Sequence, residues 1–460
     1  ASLAGRFWVA AWSLTHWFLS KSESFMGRKK VGSKGARAGV TTGVMESEYQ
    51  PLTSGRDLSA SASGTASEQG SARAQCGKSR VVRAFISSAL AGALFGYDIG
   101  STAVVTTEDQ ALGDFDIPKN SWQQGALVSV SLYGALLASL ILFALGEVLG
   151  RKQEVLLANV LYMVGSVGSV LPKAHTSYGI AIVIASRFLY GTGVGLTMHS
   201  APSYISEMAP THWRGLLIAL KETLIVLGIL LGYLMGYLFD VPRGWRVIWG
   251  SGALVALVSF LGMCFQPESP RWLASRDQTK ALESLRYFRG LETSSSSSSS
   301  LDRDVDEEFR GILSALDSEG KEGGGGSRLS ISLWKKVKEV WQAKKAFVIG
   351  GGLLFFQQVS GQPAVLYFAP TIFSNAGLGA QTSKLASVLV GVVKLVATTI
   401  ASFNVDSFGR RPLLLWGIGF MFLSLAALSL TSVWQSVLAS KLIIAELMLL
   451  VTAYQIGFGP

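Results

Sequence analysis

The sequence predicts an all-α polytopic membrane protein, and three observations carry that prediction. The composition is too apolar for a soluble surface, uncharged runs of helix length recur, and basic residues gather between those runs on one side. Hydrophobic residues make up 49% of the 460-residue chain and charged ones only 15%, where a soluble domain carries about 25% charge. Mean hydropathy is +0.39. Runs of about 20 weakly charged residues are long enough to cross a bilayer as helices. They occupy roughly 83–104, 123–145, 154–171, 178–200, 215–238, 246–265, 346–370, 385–405, 412–433 and 441–460, ten expected spans in all.

The third observation fixes orientation. Arg80 and Arg83, Arg151 and Lys152, Arg214, Arg271 and Arg276, and Arg410 and Arg411 all fall in loops on one side of the expected spans. The first loop on the other side is acidic, with Glu108, Asp109, Asp114 and Asp116 against Lys119. By the positive-inside rule the basic side is cytosolic, and so are the N-terminus and the long central loop. The net charge of +10 is thereby explained by topology, and no nucleic-acid partner is expected. Two cysteines, Cys76 and Cys264, make no disulfide framework.

Taken in order, residues 1–80 are rich in Ser, Gly and basic residues, a disordered-tail composition. Their apolar "FWVAAWSLTHWFL" is too short to span. It reads either as a targeting segment or as sequence upstream of a start at Met26 or Met45. Residues 81–267 hold six spans and form an N-terminal bundle. Residues 268–345 are a cytosolic linker with low-complexity runs at Ser294–Ser300 and Gly323–Gly326. Within it "LDRDVDEEFRGILSAL" reads as a surface helix, and "LWKKVKEVWQAKK" sets Trp334, Val337 and Trp341 at helical spacing beside lysines, as an interfacial helix would. Residues 346–460 hold helices seven to ten of a second bundle.

The halves repeat each other. "GEVLGRKQEVLL" (Gly146–Leu157) follows the second span and "VDSFGRRPLLL" (Val405–Leu415) follows the eighth. Six spans, a long loop and the same turn at the same point are the mark of a parallel repeat. The second copy stops inside its fourth span, at "YQIGFGP", so the chain is expected to be a fragment whose second bundle is truncated.

Several charges sit where lipid would be. Asp98 lies in the middle of "ALAGALFGYDIGSTAVV", and Arg187 lies nine residues into the fourth span. A charged Asp at a helix centre costs roughly 2.5–3.5 kcal/mol, so each should have a partner or face water. Glu222 and Lys394 are likewise embedded in apolar runs, and an ion pair between them is expected. Gln357 and Gln358, adjacent amides in the seventh span, offer donors and acceptors suited to hydroxyls. Gly361 and Pro363 after them predict a kinked, cavity-lining helix, while Gly191 and Gly195 predict a close-packing face.

The motifs together resemble a known family. "GEVLGRK" and "VDSFGRR" are similar to the cytoplasmic loop signature of the major facilitator superfamily. "ASRFLYGTGVG", "PSYISEMAPTHWRG", "PESPRWL" and "FQQVSGQPAVLYFAP" resemble its sugar-porter branch. "MHSAPSYISEMAP" and "ALKETLIVLGILLGY" look most like plant D-xylose–proton symporter-like proteins of plastid or vacuolar membranes. The resemblance implies two six-helix bundles and sugar transport by alternating access.

It also implies residue roles. Asp98 with Arg187 would couple a proton. Phe95, Glu222, Gln357, Gln358, Gln362, Tyr367 and Lys394 would line the substrate site. Glu147, Gly150, Arg151 and Lys152, with Asp406, Gly409, Arg410 and Arg411, would form a cytosolic latch, joined by Glu207 with Arg214 and Glu268 with Arg271 as salt bridges between bundles. The chain departs from the commoner pattern at Glu222, where many members have Gln, and at Pro363 and Lys394, where they have Asn. The sugar is therefore left open. The implied partners are a monosaccharide, a proton and the bilayer, with the protein a monomer in a plastid envelope or vacuolar membrane. Neither a catalytic set nor a metal or cofactor site is expected. Facilitated uniport, with Asp98 permanently paired, and a non-transporting sugar sensor stand as alternatives.

Overall fold

The computed structural model describes residues 59–118, 122–145, 148–173, 176–291, 300–322, 344–431 and 437–459, and among them no strand occurs. The helices, in chain order, are α1 (Ser59–Val105), α2 (Trp122–Leu145), α3 (Arg151–Val170), α4 (Ser177–Met208), α5 (Thr211–Leu238), α6 (Trp245–Cys264), α7 (Pro270–Ala274), α8 (Gln278–Arg289), α9 (Ser300–Glu322), α10 (Lys344–Val359), α11 (Gln362–Asn375), α12 (Ala380–Phe408), α13 (Arg410–Thr431) and α14 (Val437–Phe458). Glu147, the side chains of Asp406 and Arg410, the tail through residue 58, most of the serine run, the glycine run and the Trp334–Trp341 stretch lie outside the described residues.

The chain divides into two compact units. The smaller holds Ala1–Val82 and Tyr287–Ser295. There the Arg80 guanidinium donates to the Tyr287 carbonyl at 3.1 Å and lies 4.7 Å from the Tyr287 ring centroid. The larger holds Arg83–Arg286 and Ser296–Pro460.

Eight helices among the described residues are long and apolar enough to cross a membrane, against the ten expected. The shortfall has a local cause in the seventh run. Gly361 adopts φ +76, a left-handed backbone that glycine reaches without steric cost. Pro363 then occupies the first turn of the next helix, where its missing N–H would have no partner anyway. The run is therefore two helices of 16 and 14 residues, α10 and α11, in place of one kinked one. In the tenth run the helix is continuous over 22 residues, Val437–Phe458.

Small residues set how closely the helices approach. A Cβ on Gly96 of α1 would sit 1.8 Å from the Ile225 carbonyl oxygen of α5, and one on Gly191 of α4 would sit 1.9 Å from that of Ser131 in α2. Gly191 and Gly195 do form the close-packing face read from the sequence. Within a bilayer such contact stands in for the hydrophobic drive.

The helices of residues 83–264 meet those of the second half chiefly where α5 runs along α12. A buried apolar cluster continues that junction with Ile99 and Ala103 of α1, Tyr233 of α5, Leu366, Tyr367 and Phe373 of α11, Val390 of α12 and Val451 of α14. These residues fall toward the ends of α1 and α5 and the start of α12, the end opposite the basic loops. The Tyr233 hydroxyl crosses the junction to donate to the Leu366 carbonyl at 2.6 Å. Outward faces are apolar, as at Phe355 and Trp416, 63% and 67% exposed, which suits lipid contact.

Candidate functional site

Asp98 and Arg187, 89 residues apart, meet as a buried ion pair, 1% and 2% exposed. The cost of each charge called for a partner or water, and the family resemblance implied that the two belong together. α1 brings Asp98 and, one turn on, Thr102 to the same side. Arg187 Nη2 touches Asp98 Oδ1 and donates to Thr102 Oγ1 at 2.7 Å. Ser131 of α2 donates to Asp98 Oδ2 at 3.1 Å. The guanidinium carbon lies 5.2 Å from the Tyr190 ring centroid and 5.0 Å from that of Trp249, close enough for cation–π attraction.

The frame around the pair is rigid. Tyr190 donates to the Leu94 carbonyl at 2.8 Å, and Tyr97 donates to the Ile248 carbonyl at 2.7 Å. The pair itself is incompletely satisfied. Asp98 Oδ1 holds an ion contact without a well-formed hydrogen bond, and Arg187 Nε has no hydrogen-bond partner. A buried pair short of hydrogen bonds does not recover the full cost of desolvating its charges.

A second polar cluster lies in the other half. Lys394 of α12, 5% exposed, donates from Nζ to Gln455 Oε1 of α14 at 2.6 Å and lies 5.4 Å from the Tyr454 ring centroid. Gln357, half-buried near the end of α10, shares a hydrogen bond with the Tyr454 side chain. Glu222 of α5 is near enough to act on Lys394 electrostatically but makes no contact pair with it. The expected Glu222–Lys394 ion pair is therefore corrected. The lysine spends its shortest bond on an amide that the sequence reading passed over, because "YQIGFGP" was weighed only for where the chain stops.

The remaining predicted substrate residues separate. Tyr367 is 4% exposed, within electrostatic reach of Asp98 and Arg187, and its hydroxyl has no hydrogen-bond partner. Gln362, 3% exposed, likewise has an unpaired Nε2. Unpaired buried polar groups are costly, and here two lie on one helix directly after the break. Phe95 is half-buried and packs against clusters on both sides of α1. Gln358 is exposed, and the structure does not bring it into either cluster.

The basic end holds a third constellation. The Glu268 carboxylate accepts from the Lys152 backbone N–H at 2.8 Å, capping the first turn of α3. Glycine at 150 lets that carboxylate approach, since a Cβ there would lie 2.2 Å from Glu268 Oε2 and push it aside. Arg151 Nε lies 3.6 Å from Glu207 Oε1, and Ser269 donates to the same carboxylate. Arg151 also reaches Glu154, which pairs with His199 Nδ1 at 2.9 Å.

The charge pairings drawn from the sequence change here. Glu207 pairs with Arg151 in place of Arg214, and Glu268 holds the α3 terminus in place of Arg271. Arg214 and Arg271 are both exposed. Arg151, Glu207 and Arg271 hold further contacts besides these. The matched turn differs in backbone, since Gly409 takes φ +83 between α12 and α13 while Gly150 stays at φ −72; Arg411 is exposed.

Comparison with known proteins joins these observations. The sugar (and other) transporter family matches residues 84–460. The chain belongs to that family. D-xylose-proton symporter-like 3, chloroplastic, of Arabidopsis thaliana is 40% identical, covering 83% of this chain and 68% of that protein. The glucose transporter GlcP of Staphylococcus epidermidis is 33% identical over 82% of this chain and 78% of its own. The proton:xylose symporter XylE bound to 6-bromo-6-deoxy-D-glucose matches with TM-score 0.66 and 28% identity, covering 83% of this chain and 81% of that one. The chain has the fold of the major facilitator superfamily, as the resemblance of its loop motifs implied. The transporter family is an integral-membrane one and is not a class of enzymes. Among the described residues no cluster of His, Cys, Asp or Glu could hold a metal.

Proposed function

We propose that this transporter moves a monosaccharide together with a proton by alternating access, residues 81–267 and 346–460 acting as the two bundles. The observation that carries this reading is the Asp98–Arg187 contact, a buried acid with one oxygen free of a good hydrogen bond. Protonation removes the carboxylate charge and frees Arg187 to shift toward Thr102 alone. The cost of the bare Arg187 charge is then lowered by the Tyr190 and Trp249 rings. Loss of the proton restores the pair. The relatives with D-xylose-proton symporter in their names support the proton. Substrate hydroxyls would meet the unpaired Gln362 Nε2 and Tyr367 hydroxyl, with Gln357, Gln455 and Lys394 on the facing side and Phe95 against an apolar sugar face.

Uptake by the intact protein in proteoliposomes, across a panel of pentoses and hexoses under an imposed pH gradient, tests the reading. Accumulation of one sugar above its external concentration is expected. Equilibration without accumulation would make the protein a uniporter with a permanent Asp98–Arg187 pair. The membrane is proposed to be a plastid envelope or vacuolar membrane, the first supported by the chloroplastic relative, and a fluorescent fusion co-imaged with organelle markers tests it. A monomer is proposed as the working unit, to be checked by mass photometry in detergent.

A further inference from the structure

The end opposite the basic loops carries a buried cation that the transport reading has not used. Lys384 lies in the first turns of α12 and is 1% exposed, one of the largest fully buried side chains among the described residues. Its ammonium contacts the Asp240 carboxylate, just after α5, and lies 3.7 Å from Asp109 Oδ2, in the turn after α1. Lysine is on one half and both acids are on the other. We infer that Lys384, Asp240 and Asp109 form an ion-pair lock that holds the non-cytosolic side closed and must open once per transport cycle; this rests on the alternating-access reading above.

Three features separate the lock from an incidental surface pair. The lysine side chain is 2% exposed while Asp240 and Asp109 are 26% and 55% exposed, so the acids close over a base that is already desolvated. Exposed pairs contribute little, but a buried base deprived of its acid is left uncompensated. Asp240 is also held in advance of the lysine. Gln110 donates to Asp240 Oδ1 and to the Val241 carbonyl, both at 3.4 Å, while its Oε1 accepts from the Trp245 backbone at 2.9 Å. Gln110 reaches both because the segment Glu108–Leu112 is a π-helical turn broken at Gln110 (φ −122, ψ −125). Trp245 Nε1 is fixed in turn by Asp114 at 2.7 Å.

The lock also lies over the apolar junction. The same face of the molecule contains Tyr233 bonded to Leu366 and the cluster around Ile99 and Val390. A Cβ on Gly391, two turns along α12 from Lys384, would press on Leu230 and Tyr233 at 3.1–3.2 Å. Separating the halves at this end parts Lys384 from both acids and opens that cluster together. Contacts made in one state only are what bias a two-state equilibrium.

The test reads accessibility, independently of sugar. In the intact protein with Cys76 and Cys264 replaced by alanine, Ala103→Cys places a thiol in the buried junction, where Ala103 is 0% exposed. A membrane-impermeant methanethiosulfonate is added on the side carrying Asp240. Lys384→Met and Asp240→Asn should each raise the labelling rate roughly tenfold, the scale of a single charged contact acting on a two-state equilibrium. Asp109→Asn should raise it less. The charge exchange Lys384→Asp with Asp240→Lys should return labelling toward the starting rate. Unchanged labelling in both single variants overturns the lock, and so does an exchange as fast as the singles. If Lys384→Met fails to fold, Asp240→Asn and its exchange partner decide. Sugar uptake by the unmodified protein is measured in parallel, so its absence would count against transport and leave the labelling result standing.

Discussion

Each half buries a basic side chain inside apolar helices, Arg187 in the first and Lys394 in the second, and the two are compensated differently. In the first half Asp98 and Arg187 are in direct ionic contact, with Thr102 and Ser131 as supports and two aromatic rings over the guanidinium. In the second, Lys394 is bonded to the neutral Gln455, and Glu222, from α5 of the first half, acts on it only through space. A contact pair can be switched by one proton, because neutralising the acid removes the reason for the contact. A lysine held by an amide has no such partner to lose. On the function proposed above, the difference is the reason to place proton coupling in the first half and substrate-facing groups in the second.

The comparison can be broken most forcefully at Arg187. Arg187→Met strands Asp98 as an unpaired buried charge and should lower stability by about 3–5 kcal/mol, whereas Asp98→Asn with Arg187→Met should cost less than the single change. Thermal unfolding in detergent reads both. Equal losses in the single and double variants would mean that the two charges do not depend on one another.

A smaller effect sharpens the other side. A double-mutant cycle of Lys394→Met with Gln455→Leu should show a coupling of about 1.5–3 kcal/mol, the scale of a charged hydrogen bond. The cycle of Lys394→Met with Glu222→Gln should show clearly less. The reverse order would restore the contact pair that the sequence suggested.

The smallest expected effect lies outside the spans and serves as a control for acid conditions. Asp277 accepts from Thr279 Oγ1 at 2.6 Å and from the Lys280 backbone at 3.3 Å at the start of α8. Those bonds, the Thr279 one foremost, hold its carboxyl down to about 2 from an ordinary 3.8. A depressed value means that the contribution is complete above 3.8 and is lost as pH falls toward 2. Amide exchange at Lys280, taken relative to its intrinsic rate, should therefore quicken as pH falls through that window, and Asp277→Asn should remove the dependence. Any change in transport near neutral pH must then come from other groups.

Much of this was legible in the sequence because burial of charge is expensive in lipid. That cost flagged Asp98, Arg187, Glu222 and Lys394 without any structure, and the spacing of the basic loops gave the orientation. The sequence could not choose partners. Thr102 lies one turn from Asp98 and could have been found by helical spacing, but Ser131 and Trp249 reach the pair through helix packing that no local pattern encodes. Glu222 and Lys394 were matched by sign, and Gln455 took the lysine because a neutral amide can approach a buried ammonium without a second charge to desolvate. The seventh span was read as kinked from Gly361 and Pro363. The full break at Gly361 follows from its left-handed backbone, which composition cannot show. At the basic end, Glu207 and Glu268 contact Arg151 and the α3 terminus, partners that spacing along the chain does not single out.

The central claim is that Asp98 carries the proton, and Asp98→Asn tests it most directly. The substitution keeps shape and supplies a neutral group where the protonated acid would stand. The variant, in proteoliposomes with an inward pH gradient, is compared with the unmodified protein for accumulation of the preferred sugar and for sugar exchange at equal pH. The account predicts that exchange survives while accumulation above the external concentration is lost. An Asp98→Asn protein that still concentrates sugar under the pH gradient would contradict it.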